Sequence, residues 1–163
     1  MSSNQQKPGC LGILLAPFLN KRPTPSSAQE LPYAKRDKFL SPAEISFFHV
    51  LKGVLNPDQY LLTKVNLADI FYVRQPHINK GARNRINRKH VDYLVCDAAT
   101  MTPLIAIELD DASHQRADRK ERDAFVDQVF ATAELPLLHV PASKGYVSEQ
   151  IHQQIENHLS TLP

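Results

Sequence analysis

An α/β fold built on a mixed sheet follows from two features of this chain. Its apolar pattern changes period in the order helix, strand, strand, strand, helix, strand, helix (α-β-β-β-α-β-α). The second and third strands read as a hairpin, whereas the last strand follows a long helix. A sheet with both connections mixes antiparallel and parallel pairs, and its apolar faces need helices to cover them. At 163 residues, 42% hydrophobic and 22% charged, the chain suffices for one domain with a proper core.

The first helix opens at "SPAE". Ser41 is placed to cap it, Pro42 sits at its first position, and Glu44 three residues on completes a capping box. Ile45, Phe48, Leu51 and Leu55 follow at helical spacing, with Phe47 and Val54 beside them, and "NPD" at 56–58 stops the run. "YLLTKV" (60–65) reads as a strand that turns into a short helix near Leu67. The stretch 73–90, "VRQPHINKGARNRINRKH", has no apolar period and reads as a long basic loop with at most a short helical piece.

"HVDYLVCD" (90–97) and "PLIAIELD" (103–110) are the hairpin strands. In the second, Ile105, Ile107 and Leu109 share one face, and Ala106, Glu108 and Asp110 share the other. Residues 116–135 form an amphipathic helix with Phe125, Val129 and Phe130 as its apolar face. "PLLHVPA" (136–142) is a buried strand. The last helix carries Ile151, Ile155 and Leu159 at four-residue spacing.

The domain is expected from residue 31 to 163. Residues 1–30 are expected as a disordered tail holding a short apolar segment and a linker rich in Pro and Ser. That apolar segment, "CLGILLAPFL" (10–19), is too short to span a membrane, which takes about 20 apolar residues. Anchoring to a membrane or a partner through it is the less favoured alternative. Cys10 and Cys96 form neither a disulfide framework nor a zinc site, so the expected compartment is the cytoplasm.

Two clusters carry chemistry. The first is acidic. With Cys96 opposite Leu104, a symmetric hairpin sets Asp92 opposite Glu108, and the strand period adds Asp110 to the face of Glu108. Opposed carboxylates repel one another, and a hard cation between them reverses that cost; Mg²⁺ binds through a few carboxylates and completes its shell with water and phosphate oxygens. The second is basic. Arg74, Lys80, Arg83, Arg85, Arg88 and Lys89 lie in a stretch without a single acid, a pattern suited to neutralising nucleic-acid phosphates. Tyr72, at its start, is an aromatic on which a base could stack.

The order Asp92, hairpin, Glu108-Leu109-Asp110, His114, helix resembles the restriction-endonuclease-like superfamily with its PD-(D/E)XK pattern. Within it, the stretch is most similar to the branch of very-short-patch-repair endonucleases and small uncharacterised bacterial domains. The likeness covers roughly Leu31 to Val140. It implies a restriction-endonuclease-like mixed sheet and a nuclease dependent on Mg²⁺ or Mn²⁺, with DNA favoured over RNA as partner. Asp92 would be the metal aspartate, Glu108 the acid of the (D/E)XK element, and Glu44 a supporting ligand from the first helix. Asp110 stands where the superfamily has its lysine, and His114 takes the place of the histidine that the very-short-patch branch uses instead. The alternatives are a catalytically inactive nucleic-acid-binding module of the same fold, which the missing lysine favours, and a tethered interaction protein.

Overall fold

The computed structural model describes residues 31–110 and 117–160, with side chains for 31–110 and 123–160. The expected tail at residues 1–30 and its apolar segment lie outside the described residues. Residues 31–37 carry no regular element, and the unit of interest is Lys38–Pro163.

The chain runs α1 (Pro42–Val54), β1 (Gln59–Asn66), α2 (Leu67–Ile70), α3 (Ala82–Ile86), β2 (His90–Asp97), β3 (Pro103–Asp110), α4 (Ala117–Thr132), β4 (Leu137–Pro141) and α5 (Ser148–Ser160). This is the expected order, with α2 and α3 as single-turn additions. The four strands form one open sheet in the order β1-β2-β3-β4. β2 pairs antiparallel with β1 and β3, and β4 joins β3 in parallel through the α4 crossover. The protein is therefore a mixed α/β domain with helices on both faces of the sheet. Among the described residues no helix is long and apolar enough to cross a membrane.

Each face of the sheet has its own core. On one, Phe47 and Leu51 of α1 and Ile151 and Ile155 of α5 pack on Tyr93, Val95, Ile105, Ile107, Leu138 and Val140. On the other, Leu67, Ile86, Val126 and Phe130 pack on Val91, Leu94, Cys96 and Ala106. The α1 stripe differs from the expected one: Ile45 is 47% exposed, and the buried pair is Phe47 and Leu51, one turn apart. The reason is the aromatic contact that Phe47 makes. Phe47 lies edge-on to Tyr93 with ring centroids 5.6 Å apart, and Tyr146 flanks it at 4.7 Å, which centres the contact on that line of the helix.

The hairpin register keeps the expected pairing over most of its length, with Tyr93 opposite Ile107 and Val95 opposite Ile105. It departs at the loop end. A bulge between Val95 and Cys96 puts Cys96 opposite Pro103 rather than Leu104. The turn itself is held by Asp97, whose Oδ1 accepts from the N–H groups of Ala99 and Thr100 and from the Thr100 hydroxyl.

Candidate functional site

A rung of the β1–β2 ladder is irregular in both strands. Thr63 pairs with Tyr93 and Val65 with Val91, yet Lys64 and Asp92 between them are not a regular pair. Leu62 and Val65, three residues apart, both pack on the α4 side, as do Val91 and Leu94. Strict alternation would put the members of each couple on opposite faces. Lys64 adopts φ +55°, a left-handed conformation that costs a residue other than glycine about 1–3 kcal/mol. The alternation thus loses phase at the same rung on both strands, and Lys64 and Asp92 are turned towards α1.

There they meet Glu44. Glu44 is where the capping box puts it: its Oε2 accepts from the Ser41 N–H at 2.7 Å, and its own N–H donates to Ser41 Oγ. Its other oxygen, Oε1, accepts from the Lys64 ammonium, and that ammonium lies 3.5 Å from Asp92 Oδ1. Asp92 Oδ2 accepts from the Leu109 N–H at 3.0 Å, which ties this carboxylate to β3. Below them the Tyr93 hydroxyl donates to the Glu44 carbonyl at 2.5 Å. Three elements thus deliver Glu44, Lys64 and Asp92 to one partly exposed spot.

The electrostatics there are lopsided. Burial by itself would raise the Glu44 carboxyl, but hydrogen bonds from Lys64 and Ser41 outweigh it and hold the group below its ordinary range. Burial would likewise lower Lys64, and Glu44 and Asp92 outweigh it and raise the ammonium instead. Tyr93 is pushed well up, first by burial and then by the charges of Asp92 and Glu44. Among the described residues, two carboxylates around a single ammonium leave one net negative charge in a half-buried place, which favours a further cation.

The other expected acids go elsewhere. The two-residue period puts Glu108 and Asp110 on the α4 side with Ala106, and His139 stands beside Glu108 in the parallel pairing. Asp110 meets the His139 Nδ1 edge at 3.2 Å, and His139 Nε2 lies 3.1 Å from Asp127 of α4. The expected grouping of Asp92, Glu108 and Asp110 on one face is therefore divided by the phase break at Asp92. Among the described residues no group of three or more His, Cys, Asp or Glu is placed to hold a metal ion. His114 lies outside the described residues.

Lys64 and His139 were not singled out in the sequence. His139 had a signal, as the one ionisable residue in the apolar run "PLLHVPA". Burial would lower its pKa, but Asp110 and Asp127 outweigh it and raise the imidazolium above the ordinary value of 6.5. Its contribution to stability is thus fully present below that unfolded value and is lost as pH rises through the folded one. Denaturant titrations from mildly acidic to mildly alkaline pH should show stability falling across that window, and His139→Gln should flatten the fall. An equally steep fall in the variant would remove His139 as its source.

The basic segment is ordered against the domain. Asn66 donates to the Asn87 carbonyl at 2.9 Å, and the Leu67 N–H donates to that of Lys89. Gly81, at φ +85°, opens α3 in a conformation that suits glycine. The Arg85 guanidinium lies 4.0 Å from the centre of the Phe125 ring, and the Lys89 ammonium lies 5.5 Å from it. Arg74, Lys80, Arg83, Arg85 and Arg88 are exposed and Lys89 is half-buried; among the described residues none of the six is in an ion pair.

A family model described as "Protein of unknown function (DUF2726)" matches residues 36–159, nearly the whole of this domain. The chain belongs to that family. The match spans α1 to α5, so the DUF2726 domain includes both the Glu44–Lys64–Asp92 cluster and the basic segment. Comparison with curated proteins and with solved structures gave no match.

Proposed function

We propose that this DUF2726 domain is a restriction-endonuclease-like nuclease that binds nucleic acid, DNA in preference to RNA, and hydrolyses its phosphodiester bonds with Mg²⁺ or Mn²⁺. One observation carries the reading: Glu44, Lys64 and Asp92 converge from three elements on a strained rung that packing alone does not call for. Strain of that kind is kept where the surrounding structure holds it for a purpose. The superfamily resemblance expects a lysine on β3, where Asp110 stands. Lys64 supplies an ammonium beside the acids from β1 instead.

The donor set fits a metal of the Mg²⁺ kind in chemistry. Hard carboxylate oxygens from Glu44 and Asp92 already converge on one cation, the Lys64 ammonium. Mg²⁺ is commonly held by one or two carboxylates, with water and substrate phosphate completing its shell. When bound, such a metal polarises the phosphate and lowers the pKa of a coordinated water. The protein's own part is positional. Asp92 is fixed by the Leu109 amide and Glu44 by the Ser41 cap, so neither carboxylate must be ordered when substrate arrives. Lys64, held protonated by its two acids, offers a positive charge to a phosphoryl oxygen. The cations of the basic segment hold the strand.

Incubating the full chain with single- and double-stranded DNA and RNA, with Mg²⁺ or Mn²⁺, tests the reading. Expected are cleavage products that a chelator abolishes, and binding that weakens steeply with salt. Salt-sensitive binding without cleavage of any substrate would overturn the nuclease and leave the inactive binding module. That second reading has its own support in Lys64, which already occupies the carboxylates.

A further inference from the structure

On the α4 side, away from the Glu44–Lys64–Asp92 cluster, the basic segment and α4 enclose an open groove of about 680 Å³. That lies inside the ~300–1,000 Å³ typical of small-molecule sites. Its walls are apolar, formed by Phe71, Ile86 and Val129 among others, and its rim carries Tyr72, Arg74 and Arg85. Tyr72 is 82% exposed although the chain around it is ordered by α2 and α3. The Arg85 guanidinium lies over the Phe125 ring, which holds it at the groove, and among the described residues it is in no ion pair. Glu134, just past α4, is the acid in the lining, and the two arginines outweigh it.

An apolar slot with an aromatic at its mouth and guanidinium groups on its rim suits a flat ring joined to a negative charge. A nucleotide is such a ligand, and the further cations Lys80, Arg83, Arg88 and Lys89 continue the positive charge beyond one phosphate. In a duplex the faces of the bases are covered by stacking, whereas an unpaired strand presents them. We infer that this groove seats an unpaired nucleotide of a single-stranded segment, its base against Tyr72 and the apolar walls and its phosphate on Arg74 and Arg85. The inference rests on the nucleic-acid reading above and adds strandedness to it.

Fluorescence anisotropy of the full chain with a labelled oligothymidylate and with a labelled duplex of equal length, both without divalent metal, tests it. The native chain should bind the single strand more tightly. Tyr72→Ala removes an exposed ring that packs in no core, and it should weaken single-strand binding about tenfold while leaving duplex binding nearly unchanged. Gln128→Trp, which adds bulk to the α4 wall, should produce the same selective loss. Unchanged single-strand binding in both variants, equal losses on both ligands, or a native preference for duplex would overturn the groove and spare the nucleic-acid reading. Binding of neither ligand by the native chain would overturn both.

Discussion

On the nuclease reading proposed above, Asp92→Asn should lower phosphodiester cleavage by about a hundredfold or more while leaving the fold and nucleic-acid affinity close to native. The substitution is chosen for what it keeps. Asparagine still presents an oxygen to the Leu109 N–H, the 3.0 Å bond that ties the β2 rung to β3. It removes the negative charge that Lys64 shares with Glu44 and that a divalent metal would use. The cations of the basic segment are left in place. Cleavage assays, melting curves and anisotropy on the same preparation separate the three properties. Full activity in the variant would remove Asp92 from the chemistry.

Phe47→Ala should be among the most damaging single changes to stability, at about 3–5 kcal/mol. Phe47 is fully buried and packs edge-on to Tyr93 and tilted against Tyr146. Truncation loses both aromatic contacts and leaves a cavity where α1, α5 and the sheet meet. For a domain of this size a loss of that order moves the melting midpoint by roughly 10 °C, readable by circular dichroism. The damage also reaches the site, because Phe47 lies one turn from Glu44 and seats α1 against Tyr93. A fall of only a degree or two would mean that this core closes over the gap.

Most of the architecture could be read from the residues because it rests on local periodicity. "HVDYLVCD" and "PLIAIELD" are short apolar runs edged by acids and separated by a turn, and they are β2 and β3 to the residue. The Ser41–Glu44 capping box is fixed by neighbours three apart and is present as expected. What depends on the third dimension was not legible. Lys64 reads as an ordinary polar residue in "LLTKVN", and its left-handed conformation has no glycine to announce it. For that reason the alternation could not be seen to lose phase at Asp92, and the three acids appeared to share a face. The hairpin bulge was hidden for a similar reason, since loop length alone does not say which strand carries the extra residue. His139 lacked a visible partner until β4 lay in parallel beside β3 and brought it to Asp110.

The paired irregularity at Lys64 and Asp92 also constrains how this sheet can change. Because both strands slip at one rung, partners on either side keep the same numbering relation, from Gln59 with Asp97 to Asn66 with His90. Deleting either residue alone would shift one strand against the other and turn Val65 or Val91 out of its core. Deleting both would restore an ordinary ladder and dissolve the cluster. The two positions therefore act as one structural unit: the rung can be straightened only by removing both, and with them the convergence of charge that it holds.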